Sequence, residues 1–210
     1  KINKNTININ NYPILGELDS TSSVNINEKQ VCYVGGISKI RGIEQMVDAM
    51  EIVQSGAKLQ LVGSFGNKSL RNRVVGSAGW SNVIEQGVLD RNDVAKLLST
   101  STAGLVLFLP EPNHIESQPN KMFEYMSASI PVIASNFSLW RSVIEKNNCG
   151  ICVDPTAPNE IAEAIDFLVC NPKDAKLMGK NGQAAIKRIY NWGIEEKKLL
   201  GLYENLIARK

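Results

Sequence analysis

From residue 31 onward, short apolar runs alternate with longer stretches whose apolar residues recur every three to four positions. The short runs at 31–34, 58–62, 83–86, 104–107, 131–134 and 150–153 are apolar at both parities and bounded by Gly, Pro or Asn. They predict strands buried on both faces, as in a parallel sheet. Between and after them, Ile43, Met46, Val47 and Met50 fall at i, i+3, i+4 and i+7. So do Ile161, Ala164, Ile165 and Leu168, and again Leu199, Leu202, Tyr203 and Leu206, which predicts amphipathic helices. Asp90 is placed to cap a helix carrying Val94, Leu97 and Leu98, and Pro158 sits where a first helical turn would begin. Strands alternating with helices imply an α/β fold with a doubly wound parallel sheet. Ligands of such sheets bind at the carboxyl ends of the strands, so the loops after Val34, Val62, Gln86 and Leu107 are the ones to read for chemistry.

Residues 1–30 are different: rich in Asn, Thr and Ser, with Pro13, they read as a partly extended lead-in, leaving 31–210 as the domain. A chain of 210 residues buries a core without disulfides or metal. A net charge of +2 with no basic cluster argues against a nucleic-acid partner. No apolar run is long enough to span a bilayer. The four cysteines are too few for a disulfide scaffold, which favours a reduced, cytoplasmic setting. The sequence opens with Lys1 rather than Met and reads as a processed product or a piece of a longer protein.

Three loops carry candidate chemistry. Gly35-Gly36-Ile37-Ser38-Lys39-Ile40-Arg41-Gly42 is a Gly-rich strand-to-helix turn with two cations. Ser38 stands where the last glycine of a dinucleotide fingerprint belongs, so the pattern leaves both phosphate binding and a plain tight turn open. The loop at 63–69 does not fit a Walker A motif. The third stretch runs Glu111-Pro112-Asn113-His114-Ile115-Glu116-Ser117-Gln118-Pro119-Asn120-Lys121-Met122-Phe123-Glu124-Tyr125-Met126. Pro119 suits the first position of a helix, which puts Lys121 in the first turn, where a cation opposes the helix dipole. A bound anion would resolve that conflict; a turn toward solvent or a pairing with a nearby Glu would also do so. Glu116 and Glu124 do not read as a glycosidase pair, because eight helical residues span about 12 Å. His114, the single histidine, lacks a nucleophile motif around it and reads as packing or surface. Cys149-Gly150-Ile151-Cys152 runs into a strand and has no second ligand pair, so no metal site is expected.

The Glu116-x7-Glu124 spacing, followed by Tyr125-Met126-Ser127-Ala128-Ser129-Ile130-Pro131-Val132-Ile133-Ala134-Ser135, resembles a signature of retaining glycosyltransferases of the GT-B fold, group 1 (family 4). Tyr33 to Gly42 is similar to that family's first glycine loop, Leu61-Val62-Gly63 to its second turn, and Asn82 to Leu89 to the run beside the nucleobase. Trp192 and Tyr203 fall where its C-terminal helices carry similar residues. The resemblance covers about residues 31–208 and implies a Rossmann-like sheet forming the C-terminal, donor-binding half of a GT-B fold. It further implies that Glu116 contacts the donor sugar and Glu124 the ribose hydroxyls. Gly35, Gly36 and the amides of Ser117, Gln118 and Asn120 would meet the diphosphate. Arg41 would grip phosphate, and Val88 and Leu89 would lie by the base. The family's loop arginine is Gly36 here, and Lys121 or Lys39 is expected to replace its charge.

The expected function is therefore retaining, metal-independent transfer from a nucleotide-diphosphate sugar to a glycan or lipid-linked acceptor, in polysaccharide synthesis, with no cofactor beyond the donor. The acceptor domain is expected to lie outside this sequence, together with any membrane contact, which makes this chain inactive by itself. A non-catalytic Rossmann-like module and a sugar-nucleotide epimerase are the alternatives.

Overall fold

A computed structural model describes residues 6–18 and 29–208. Six strands form one parallel sheet among the described residues: β1 (Gln30–Val34), β2 (Lys58–Val62), β3 (Val83–Gly87), β4 (Ala103–Val106), β5 (Val132–Ser135) and β6 (Gly150–Val153), in the order β3-β2-β1-β4-β5-β6. All neighbours run parallel, with Val31 opposite Leu59 on one side and Ala103 on the other. This is the doubly wound arrangement expected from the alternating pattern.

The helices are α1 (Ile43–Ile52), α2 (Lys68–Val75), α3 (Arg91–Thr100), α4 (Pro112–Ile115), α5 (Asn120–Ser127), α6 (Ser138–Asn147), α7 (Pro158–Cys170), α8 (Pro172–Arg188) and α9 (Trp192–Ile207). Residue parity divides the core. Val31, Tyr33, Leu59, Leu61 and Leu105 face α1, α2 and α7. Cys32, Val62, Val106, Val132 and Ala134 face α3, α5, α6 and α8. Asp90 caps α3 by accepting from the Asp93 amide, and Asn67 caps α2 by accepting from Ser69 and Leu70.

Three expectations need correction, and one short helix was not anticipated. β3 is an edge strand, and its residues are exposed or half-exposed rather than covered on both faces. α4 is a four-residue helix with Pro112 at its start, too short to show a period. Pro119 is not the first helical residue of α5 but the one before it. Its ψ of 127° is extended, and its carbonyl accepts the first helical bond, from Met122. α9 has the predicted period, yet Tyr203 and Leu206 on that stripe are exposed.

On the α3 side of the sheet, three glutamines form a directional ladder. Gln86 Nε2 donates to Gln60 Oε1 at 2.7 Å, Gln60 Nε2 to Gln30 Oε1 at 2.8 Å, and Gln30 Nε2 to Thr100 Oγ1 at 2.6 Å. Gln30 and Gln60 are buried, and such amides stay buried only when paired.

The lead-in residues that the structure describes are docked on the domain. The Tyr12 ring meets Phe123 edge-on with centroids 4.8 Å apart, and meets Tyr190 at 5.5 Å. Trp192 donates its amide to the Pro13 carbonyl, and Asn10 donates its amide to Glu195.

Candidate functional site

The strand order reverses direction between β1 and β4, so the loops leaving these two strands diverge and leave a crevice at their carboxyl ends. The first loop is held tightly. Gly35 donates its amide to Val62 and Ile37 to Ser64, and the Ile40 carbonyl accepts from Leu109 of the second loop. Gly63 (φ +137°) passes so close to this loop that a Cβ there would stand 1.9 Å from the Gly35 carbonyl oxygen.

At the mouth of the crevice two cations meet. Tyr33 donates its hydroxyl to the Gly36 carbonyl at 2.7 Å, and Arg41 Nη1 donates to the same carbonyl at 3.1 Å. Burial pushes the Tyr33 phenol up to about 12, so it remains a donor. Lys121, the second residue of α5, enters from the opposite wall. Its Nζ sits 3.7 Å from the centre of the Tyr33 ring and 5.6 Å from that of Phe108. The Arg41 guanidinium lies 5.6 Å from the Phe108 ring on its own side. A Cβ on Gly35 would stand 2.9 Å from Lys121 Nζ, so the absence of a side chain there admits the amine. Lys121 is 8% exposed, and its Nζ has no hydrogen-bond partner among the described residues. Burial, followed by Arg41, pushes its ionisation down to about 7, against the opposing pull of Glu124 and Cys32. Neither a turn to solvent nor a pairing with Glu accounts for Lys121. Lys39 is exposed and lines a separate cleft with Gly66, Asn67 and Arg73, so of the two lysines only Lys121 reaches the glycine loop, beside Gly35, while Arg41 lies beside Gly36.

The predicted carboxylates separate. Glu124 takes Arg91 Nη1 at 2.8 Å, and Arg91 Nε reaches Glu17 of the lead-in at 2.9 Å. The two bonds raise the Arg91 pKa, the Glu17 bond most strongly. Asn120 and Glu124 line a small cleft with Tyr12, Pro13, Glu17 and Arg91. Gln118 beside it accepts from the Tyr12 hydroxyl at 3.0 Å. Glu116 lies exposed at the end of α4. The Ser117 amide donates to the His114 carbonyl, and the Ser117 carbonyl accepts from Trp140 at 2.6 Å. Since Pro119 has no N–H, the amides of Gln118 and Asn120 are the ones left from the predicted set. Val88 is 76% exposed at the end of β3, and Leu89 packs against the α3-side core.

Thus Gly35, Gly36, Arg41 and Lys121 come together as one cradle, and Gln118, Asn120 and Glu124 as one wall. Glu116 is in neither group. Two residues that the sequence did not single out belong here. Tyr33 was visible only as a strand residue at the head of the glycine-loop resemblance, and Arg91 only as the residue after a helix cap. His114 is buried against Phe108, with Nδ1 3.1 Å from the Leu109 carbonyl, and so packs the second loop. Among the described residues all four cysteines are free, no group of three or more His, Cys, Asp or Glu converges, and no helix is long and apolar enough to cross a membrane.

These features define a Rossmann-like α/β domain, one half of a GT-B fold. The sequence profile of the family "Glycosyl transferases group 1" matches residues 17–185, and the chain belongs to that family. Spore coat protein SA of Bacillus subtilis is 26% identical over 188 residues, which is 84% of this chain and 49% of that protein. Sucrose-phosphate synthase of Thermosynechococcus elongatus superposes with a TM-score of 0.76 at 26% identity, over 95% of this chain and 50% of that one. HepE of Anabaena, solved in complex with UDP, superposes with a TM-score of 0.80 at 16% identity, over 94% of this chain and 57% of that one. It has also been solved with UDP-glucose. The chain spans about half the length of the curated relatives it matches.

Proposed function

We propose that this chain is the donor-binding half of a retaining, metal-independent glycosyltransferase that holds a nucleoside-diphosphate sugar. The observation that carries this reading is the Lys121 amine, buried without a polar partner beside Arg41 in a loop opened by Gly35 and Gly36. Such an arrangement is unfavourable alone and favourable once an anion enters. The diphosphate would lie between Arg41, Lys121 and the amides of Gln118 and Asn120 at the start of α5. Glu124 would accept from the ribose hydroxyls, and Val88 and Leu89 would border the base. The HepE complexes with UDP and UDP-glucose, on the same fold, support a sugar nucleotide as the ligand.

In this reading the two cations stabilise the departing nucleoside diphosphate, where negative charge develops as the sugar–oxygen bond breaks. Glu116 is free to turn toward the sugar because nothing described ties it down. The reaction needs no cofactor beyond the donor. The acceptor, a glycan or lipid-linked sugar in polysaccharide synthesis, would be held by residues outside these 210. The reaction is placed in the cytoplasm, with any membrane contact made outside this sequence.

Calorimetric titration with UDP and with GDP tests the reading. One of them should bind, and Glu124→Ala should weaken it roughly tenfold or more, as expected for hydrogen bonds to a charged group. Failure of both to bind, in this chain and in a chain that also carries the acceptor half, would overturn it.

A further inference from the structure

We propose that the cradle takes up its diphosphate together with a proton: the Lys121 amine rests against the Tyr33 and Phe108 rings and meets the incoming anion as an ammonium. The inference rests on the donor-site reading above and adds how that site is regulated.

The geometry leads to it in steps. An ammonium close to an aromatic face is attracted to it, the more so when desolvated. The rings therefore hold the amine in place but do not replace three lost hydrogen bonds to water. Arg41 points to the same place from the turn after β1, tied to the Gly36 carbonyl, and repels a second positive charge. The groups that face Lys121 are few. Cys32 and Tyr33 come from β1, and burial pushes both up to about 12, so both stay neutral. Tyr125 on α5 is pushed upward too by burial, and its hydroxyl oxygen accepts from the Val34 amide at 2.9 Å. Glu124 on α5 is the one nearby carboxylate, and Arg91 already neutralises it at 2.8 Å. His114 lies behind Phe108 with its Nδ1 on the Leu109 carbonyl. Within the cradle the amine therefore sits near half-protonation at neutral pH, its ionisation pushed down to about 7. A diphosphate brings counter-charge within hydrogen-bond reach of Nζ, and a nearby opposite charge favours the protonated form. The proton comes from solvent, and no covalent bond changes. A diphosphate bound as a diester to sugar and nucleoside does not itself ionise near neutrality, so the uptake belongs to the protein. Affinity should fall by up to about tenfold per pH unit above pH 7, until the pKa of the liganded amine is reached.

Two measurements on the chain test this. Lysine-selective NMR titration of the free protein should show one amine titrating near pH 7, absent from Lys121→Arg. Calorimetry with UDP-glucose and with GDP-mannose, each at pH 7 in two buffers of different ionisation enthalpy, should show uptake of roughly half a proton. Lys121→Arg, with a permanent charge, should bind without uptake, and Lys121→Met should bind weakly without uptake. His114→Gln should leave the uptake in place. An ordinary lysine titration for Lys121 in the free protein overturns the inference whatever the nucleotide does. So does binding without uptake in the native chain, or uptake that persists in Lys121→Met. If neither sugar nucleotide binds, to this chain or to one that also carries the acceptor half, the donor-site reading falls and takes this inference with it, whatever Lys121's own titration shows.

Discussion

Lys121 is a liability to the fold and, under the function proposed above, an asset to the site. Its folded ionisation lies near 7, below the ordinary lysine value. The unfolded chain therefore binds the extra proton between the two values, and stability rises with pH through that window. The destabilising contribution is fully present below about pH 7 and fades as pH approaches the unfolded value. Lys121→Met should therefore raise the stability of the ligand-free protein, on the order of 1–4 kcal/mol at pH 6, because replacing a buried charge with an apolar group of similar length is often stabilising. Urea denaturation at pH 6 and pH 10 measures this, and the gain should shrink at the higher pH. An equal gain at both would show that the amine is not the source. The sequence carried a trace of this feature: a cation in the first turn of a helix breaks a local rule, and residues that break local rules concentrate at functional sites. It did not show the Tyr33 ring beneath the amine, because that pairing joins residues far apart in the chain.

Among the elements, the crossing of the loops after β1 and β2 depends on Gly63. Its φ of +137° and the 1.9 Å clearance to the Gly35 carbonyl leave no room for a side chain. Gly63→Ala should destabilise the protein by about 2 kcal/mol or more, read from the midpoint of denaturation, and should weaken nucleotide binding because Gly35 must move. The six strands were legible because each is a short apolar run closed by a breaker, and two of them, β2 and β6, begin and end where the pattern placed them. The exposure of β3 was not legible. Its sequence, Val-Ile-Glu-Gln-Gly, reads as a strand, but edge or centre is decided by which strands pair with it. α4 and the offset of Pro119 were hidden by size, since four residues have no period. Arg91 was hidden by distance: its partners Glu17 and Glu124 are 74 and 33 residues away. Gly35, Gly36, Arg41 and Lys121 were all named from local pattern, whereas their meeting at one point follows from the crossover between β1 and β4.

At the scale of the whole molecule, the lead-in and the domain form a single packed surface around Tyr12. Its ring meets both Phe123 and Tyr190, whose own centroids are 5.3 Å apart, and its hydroxyl reaches Gln118. Tyr12→Ala should speed amide exchange across residues 6–18 and lower stability by about 1–3 kcal/mol, while the Lys121 titration stays unchanged. If exchange in that segment does not change, the docking rests on Pro13 and Asn10 instead. The glutamine ladder works over a similar distance in another way. Gln60 lies opposite Cys32 and Ile84, so each bond runs diagonally to the glutamine two positions along, and the ladder acts as a ruler laid across three strands. A slip of β3 by one residue would carry Val88 about 3.3 Å along the sheet, farther than the base contact proposed for it could follow. The three amides lie on the strands below the ligand loops, and they set how far β3 advances before it turns toward the crevice.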